Sequence, residues 1–203
     1  MTTVDTIINR LQNEFDCRLT TEHILSIMNN LEKRLAIDVV RRTATIMLDI
    51  APYCQEYTID VNPDYVTRVF VDDKEIKKQY AANCEGYCFN NDRVVLTKSF
   101  DEGMLFVEYI VVPEDILEAD IRNRALFLGE GFDEIYIYHI LSREALMSGD
   151  IEMLNNYSLI YAEALNSLKA YVASLPKGDD PNFDMSVGTP DAQNSTDKYK
   201  NIW

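Results

Sequence analysis

Two histidines, four cysteines and a single Gly-x-Gly are the residues from which chemistry would have to be built in this chain. Acid–base or nucleophilic catalysis needs a group that titrates near neutral pH, most often histidine. His139 shares a helical stripe with Phe132, Ile135 and Leu146, where a packed or interface histidine is the better reading. His23 falls in the first turn of a helix and reads as a surface residue. Cys84 and Cys88 lie four apart with no second pair, whereas a structural zinc site needs four ligands in recognisable pairs. Gly129 and Gly131 are flanked by Glu130 and Asp133, which would repel a phosphate, so a linker outweighs a nucleotide loop. P-loop, H-E-x-x-H and G-x-S-x-G motifs do not occur. Carboxylates are so abundant that no pair stands out. The expectation is a protein with no catalytic residues, no cofactor and no metal.

The aromatic residues are more informative. Tyr157, Tyr161 and Tyr171 recur at helical spacing, which suits core packing and equally suits a face that meets another subunit. Phe106 and Tyr109 fall in Met104–Val112, a strand pattern apolar on both parities and so expected to be covered on both faces. Tyr199, Ile202 and Trp203 close an otherwise polar tract, and Tyr and Trp are anchoring residues at interfaces. These eight are the candidate interface residues.

The elements that must carry them divide the chain into four stretches. Residues 1–41 hold two helices, the first marked by Val4, Ile7, Ile8, Leu11 and Phe15. The second is capped at Thr21 and carries Leu25, Met28, Leu31 and Leu35. Residues 42–112 switch to period two. Ala44, Ile46, Leu48 and Ile50 fall on one parity, and short strands follow at Tyr57–Val61, Val66–Val71, Arg93–Leu96 and Met104–Val112, separated by turn signals. Residues 113–175 return to helical spacing in two helices separated at Gly149-Asp150. The second of these carries Leu154, Tyr157, Tyr161, Leu165, Leu168 and Val172. Residues 176–203, rich in Pro, Gly, Asp and Asn, predict an extended arm that is flexible when alone. The expected fold class is α+β: a helical bundle of two N-terminal helices and a C-terminal pair, with a small antiparallel β module inserted and the arm appended.

The formal charge is −15, from 34 acidic and 19 basic residues. That balance argues against sequence-reading DNA binding, which needs neutralising Lys and Arg. It leaves open a protein that surrounds DNA without gripping it. The N-terminus shows no basic region followed by an apolar core, so no signal peptide is expected. The apolar runs are too short to predict a membrane-spanning helix. Free thiols and a cytosolic site of synthesis follow as the default.

Three stretches together resemble the head-to-tail adaptor (connector, or neck ring) proteins of tailed bacteriophages. RRTATIMLDIAPYCQEYTI is similar to an adaptor strand that runs through a Pro-containing turn into a strand opened by tyrosine. VTRVFVDDKEI is similar to a strand ending in an acidic hairpin, with Lys74 where a glycine is common. IYIYHILSREALMSGDIEMLNNYSLIYAEALNSLKAYV is similar to the closing helix pair. They span most of residues 42–172. The resemblance implies a non-enzymatic virion protein in the neck between capsid and tail. It would assemble with itself as a closed ring, usually a dodecamer. It would bind the portal protein and the next tail or neck protein, and pass dsDNA through its lumen without sequence-specific binding. The arm would dock on the portal or a neighbouring copy. An acidic lumen suits a DNA conduit, because basic walls would hold the genome by counterion release.

Two other classes compete. An acidic protein can mimic DNA and occupy a DNA-handling enzyme, but no regular Asp/Glu spacing marks one helix face. An enzyme built on a carboxylate pair in the β stretch lacks any local motif.

Overall fold

The computed structural model describes residues 2–79 and 86–175. Its chain forms two compact units. Among the described residues, one gathers 2–34 and 113–175, and the other is 35–79 with 86–112.

The first unit is helical: α1 (Val4–Glu14), α2 (Thr21–Leu35), α3 (Asp133–Ser148) and α4 (Ile151–Ser174). Each start has a physical cause. Thr3 caps α1 by accepting from the Thr6 amide at 3.3 Å. The next two orphan donors of α1, Val4 N–H and Asp5 N–H, go to the carbonyls of Arg124 and Ile121. Thr20, one residue before the expected cap, accepts from His23 N–H at 3.4 Å and starts α2. Gly149 sits at φ 75°, a left-handed conformation that suits glycine and ends α3. Asp150 then caps α4 through Met153 N–H at 3.0 Å.

Their burial differs sharply. In α3 half of the sixteen residues are buried, among them Ile135, Tyr136, Ile137, Ile140 and Leu141, so apolar groups occupy nearly its whole circumference. In α4 only Leu168 of twenty-four residues is buried.

The second unit is a sheet. It opens with a π-helical turn, Ala36–Val40, which closes when Arg41 N–H donates to Ala36 O at 2.9 Å. Seven strands follow: β1 (Thr43–Asp49), β2 (Glu56–Thr58), β3 (Val66–Val71), β4 (Lys74–Lys78), β5 (Gly86–Asn90), β6 (Arg93–Leu96) and β7 (Met104–Ile110). They are ordered β1-β7-β3-β4-β5-β6-β2 and curl into a nearly closed, barrel-like sheet. All pairs are antiparallel except β4–β5, which is parallel. Val69, Val71, Ile76, Val94, Leu105 and Val107 are among the residues that fill its core.

The expected helical bundle with a small antiparallel insertion is therefore corrected. The β stretch is a seven-stranded mixed sheet with a hydrophobic core of its own. Two strands were hidden from pattern reading. β4 is Lys-Glu-Ile-Lys-Lys, whose single apolar residue gives no visible alternation. β5 begins at a glycine and is five residues long. Once both are counted, the sheet has enough strands to curl round and seal an interior.

Candidate assembly surfaces

The aromatic residues of α4 form a seam with α3 and its flanks. Tyr157 meets Tyr138 at 6.1 Å between ring centroids, and Tyr138 in turn meets Phe15 at 6.1 Å. Tyr161 lies 4.9 Å from the His139 ring. Tyr171 stands against Phe132 at 5.7 Å and is 40 % exposed. Tyr157 and Tyr161 are half-buried. Burial raises the phenol pKa of Tyr161, opposed by the Arg34 and Arg143 charges. His139 is buried; desolvation, then the nearby Arg143 and Arg34, lower its pKa to about 4, so it is neutral at pH 7.

The face of α4 turned away from this seam is the unusual one. Ile151 is 71 % exposed and Leu159 is 62 % exposed. Ala162, Asn166, Ala170 and Ala173 share that side and are exposed. Glu152, Glu163 and Lys169, the charged side chains of the helix, are exposed on or beside the same side, so apolar and charged groups are interspersed there. At the corner between the two helices Met147 is 66 % exposed, with Leu146 and Met153 also open to solvent. Such apolar groups are left in water at a cost of about 1.5–3 kcal/mol per large side chain relative to burial. The sequence singles out the stripe of Tyr157 and Tyr161; the opposite face also recurs at helical spacing, but its small, polar and charged residues give it no apolar stripe.

The sheet unit carries a second apolar row on its outer face. Phe106 on β7, the strand between β1 and β3, pairs with Met47 on β1 and with Phe70 on β3. Met47 is exposed and both phenylalanines are half-buried. The adjacent row holds Arg68 and Glu108, whose ion pair spans 2.6 Å, and the Arg68 guanidinium lies 5.4 Å above the Phe70 ring. Tyr109, opposite Ala44 and Val66, is half-buried, and that burial raises its pKa. Tyr199, Ile202 and Trp203 lie outside the described residues, as do the whole arm 176–203 and Cys84.

The groups able to do chemistry are dispersed or sealed. Among the described residues no three His, Cys, Asp or Glu side chains converge as a metal site. Cys17 is buried, and desolvation, reinforced by Glu144, raises its thiol to about 11, against a hydrogen bond from the backbone at Leu19. Glu32 is the one buried carboxyl among the described residues. Its Oε1 accepts from Phe127 N–H at 3.0 Å and from Tyr136 O–H at 3.0 Å, while the Tyr136 oxygen accepts from Leu128 N–H at 3.3 Å. That set ties the irregular 126–128 segment to α2 and α3, and nothing in the sequence distinguished Glu32 from the other acids. A groove of about 460 Å³ runs between α2 and residues 115–118. Part of its polar lining is engaged: Lys33 pairs with Asp115 at 2.7 Å, Asn29 Nδ2 donates to Ile116 O, and Asn29 Oδ1 accepts from Ile116 N–H.

No family model matches the chain, and no curated protein matches it. Among the described residues no helix is long and apolar enough to cross a membrane.

Proposed function

We propose that the chain is a structural assembly protein, a ring-forming connector between portal and tail in a phage particle. The observation that carries this reading is the exposed side of α4 with the α3–α4 corner. These residues expose Ile151, Leu159, Met147, Leu146 and Met153, large apolar side chains that a second copy would cover. A closed ring needs two different sticky faces on each copy, because its interface is heterologous. The α4 side supplies one. The Met47–Phe106–Phe70 row supplies the other.

In this reading the protein acts by geometry. It binds the portal, receives the next neck or tail component, and lines a passage whose net negative charge keeps DNA sliding. The similarity of residues 42–172 to adaptor sequences adds to the argument but does not carry it. Removing the chain from a producing cell tests it: heads should fill with DNA yet lose it and remain tailless. Particles that retain DNA and acquire tails without the chain would exclude this role.

A further inference from the structure

The barrel-like sheet has an open seam, and one of its lips is an unguarded strand edge. Val111 N–H donates to Arg42 O and Ile50 N–H donates to Gly103 O, which fixes the phase of the β1–β7 ladder. Even-numbered residues of β1 therefore bond to β7, and Thr43, Thr45, Met47 and Asp49 turn their backbone groups outward. Those groups find no partner among the described residues.

Exposed edges are commonly blunted by lysine, proline, a bulge or a very short strand. β1 has seven residues, Thr-Ala-Thr-Ile-Met-Leu-Asp, with a single charge at its end and a regular register. The opposite lip, β2, is three residues long. There Glu56 pairs with Arg93 at 2.9 Å, and its carbonyl accepts the Cys54 thiol. The wall is also thin beside β1. Ile46 and Leu48 pack on the barrel core yet are only partly buried.

We propose that the β1 edge is a strand-addition site and that its occupant is residues 183–187 of this protein, from the same or a neighbouring copy. The arm as a whole shows no period, but Phe183-Asp184-Met185-Ser186-Val187 alternates apolar with polar. Pro181 precedes this run and Gly188 and Pro190 follow it, the punctuation of a short strand. One parity, Phe183, Met185 and Val187, covers Ile46 and Leu48 at the seam. The other, Asp184 and Ser186, stays with the exposed Thr45 and Met47. Main-chain hydrogen bonds give such a contact its affinity, and the alternating side chains give it its register. This assignment holds whether or not copies form a ring.

Amide hydrogen exchange on the full chain tests it. The outward amides of Thr45, Met47 and Asp49 should exchange slower than free peptide by roughly a hundredfold or more. In the triple variant Phe183→Asp, Met185→Asp, Val187→Asp they should exchange freely. The amides of Ala44, Ile46 and Leu48, bonded to β7, should stay protected in both chains and report that the sheet is folded. Thr45→Pro is the converse variant: it deletes an outward donor without touching the β7 ladder, and should strip protection from the alternate amides of residues 183–187 that face β1. Free exchange at Thr45 and Met47 in the unaltered chain overturns the proposal. So does protection that survives the triple variant, which would give the edge to a second copy's β1 or to another chain.

Discussion

Tyr136 donates its phenolic hydrogen to Glu32 Oε1 at 3.0 Å, with both side chains sealed from solvent. The pair joins α2 to α3 and holds Phe127 and Leu128 through their amides. Tyr136→Phe removes the donor to Glu32 and leaves Leu128 N–H without its acceptor. The expected loss is about 1–3 kcal/mol in urea unfolding, the range for an orphaned buried polar group.

Glu32 also gives the fold a pH dependence. Burial raises its pKa above 4.5, opposed by the Phe127 and Tyr136 hydrogen bonds and the Arg124 charge. The folded state therefore holds this proton more tightly than the unfolded chain does. Its contribution is fully present below pH 4.5 and is lost as pH rises through the folded pKa. In Glu32→Gln that component of the stability–pH curve should vanish, as read by denaturant titrations at a series of pH values.

His139 slopes the other way. Its pKa falls from 6.5 to about 4 on folding, so its contribution is present above pH 6.5 and is lost as pH drops through 4. His139→Phe should flatten the curve between those values and leave the Glu32 component in place. A wild-type stability with no dependence on His139 in that window would contradict the burial of a neutral imidazole against Tyr161.

Two glycines hold the sheet at close approaches. A Cβ on Gly86 would lie 2.5 Å from Lys77 O, inside the parallel β4–β5 pair. Gly103 sits at φ 141°, and a Cβ there would lie 3.0 Å from the Asp72 carboxylate, which accepts Met104 N–H at 2.9 Å. Gly86→Ala and Gly103→Ala should each cost about 1–3 kcal/mol by thermal or denaturant unfolding. The loss at Gly86 is steric, because its backbone dihedral is ordinary.

Leu159→Glu and Ile151→Glu place charge on the open side of α4. Stability should change by no more than about 0.5 kcal/mol, since neither side chain is buried in the single chain. Self-association should weaken at least tenfold, about 1.4 kcal/mol per interface. Sedimentation velocity and thermal melting on the same samples separate the two effects.

The helices were legible in the sequence because their signals are local. Gly149 and Asp150 end one helix and cap the next within two residues, and apolar spacing marks α1 to α4. The sheet was legible only where apolar residues alternate. β4, with Ile76 alone among charges, is a strand because Val69 and Phe70 of β3 pair with it, a fact held outside the segment. Glu32 was invisible for the same reason, since its partners lie about a hundred residues away. On α4 the periodic stripe named the residues that pack on α3. The exposed remainder becomes evident only once a structure shows that Leu168 alone is buried.

Native mass measurement of the full chain, alone and mixed with the portal oligomer of the same particle, tests the assembly reading most directly. The expected result is a closed multimer, either free or formed on the portal, which Leu159→Glu dissolves. A monomer at every concentration, unchanged by the portal, would contradict it.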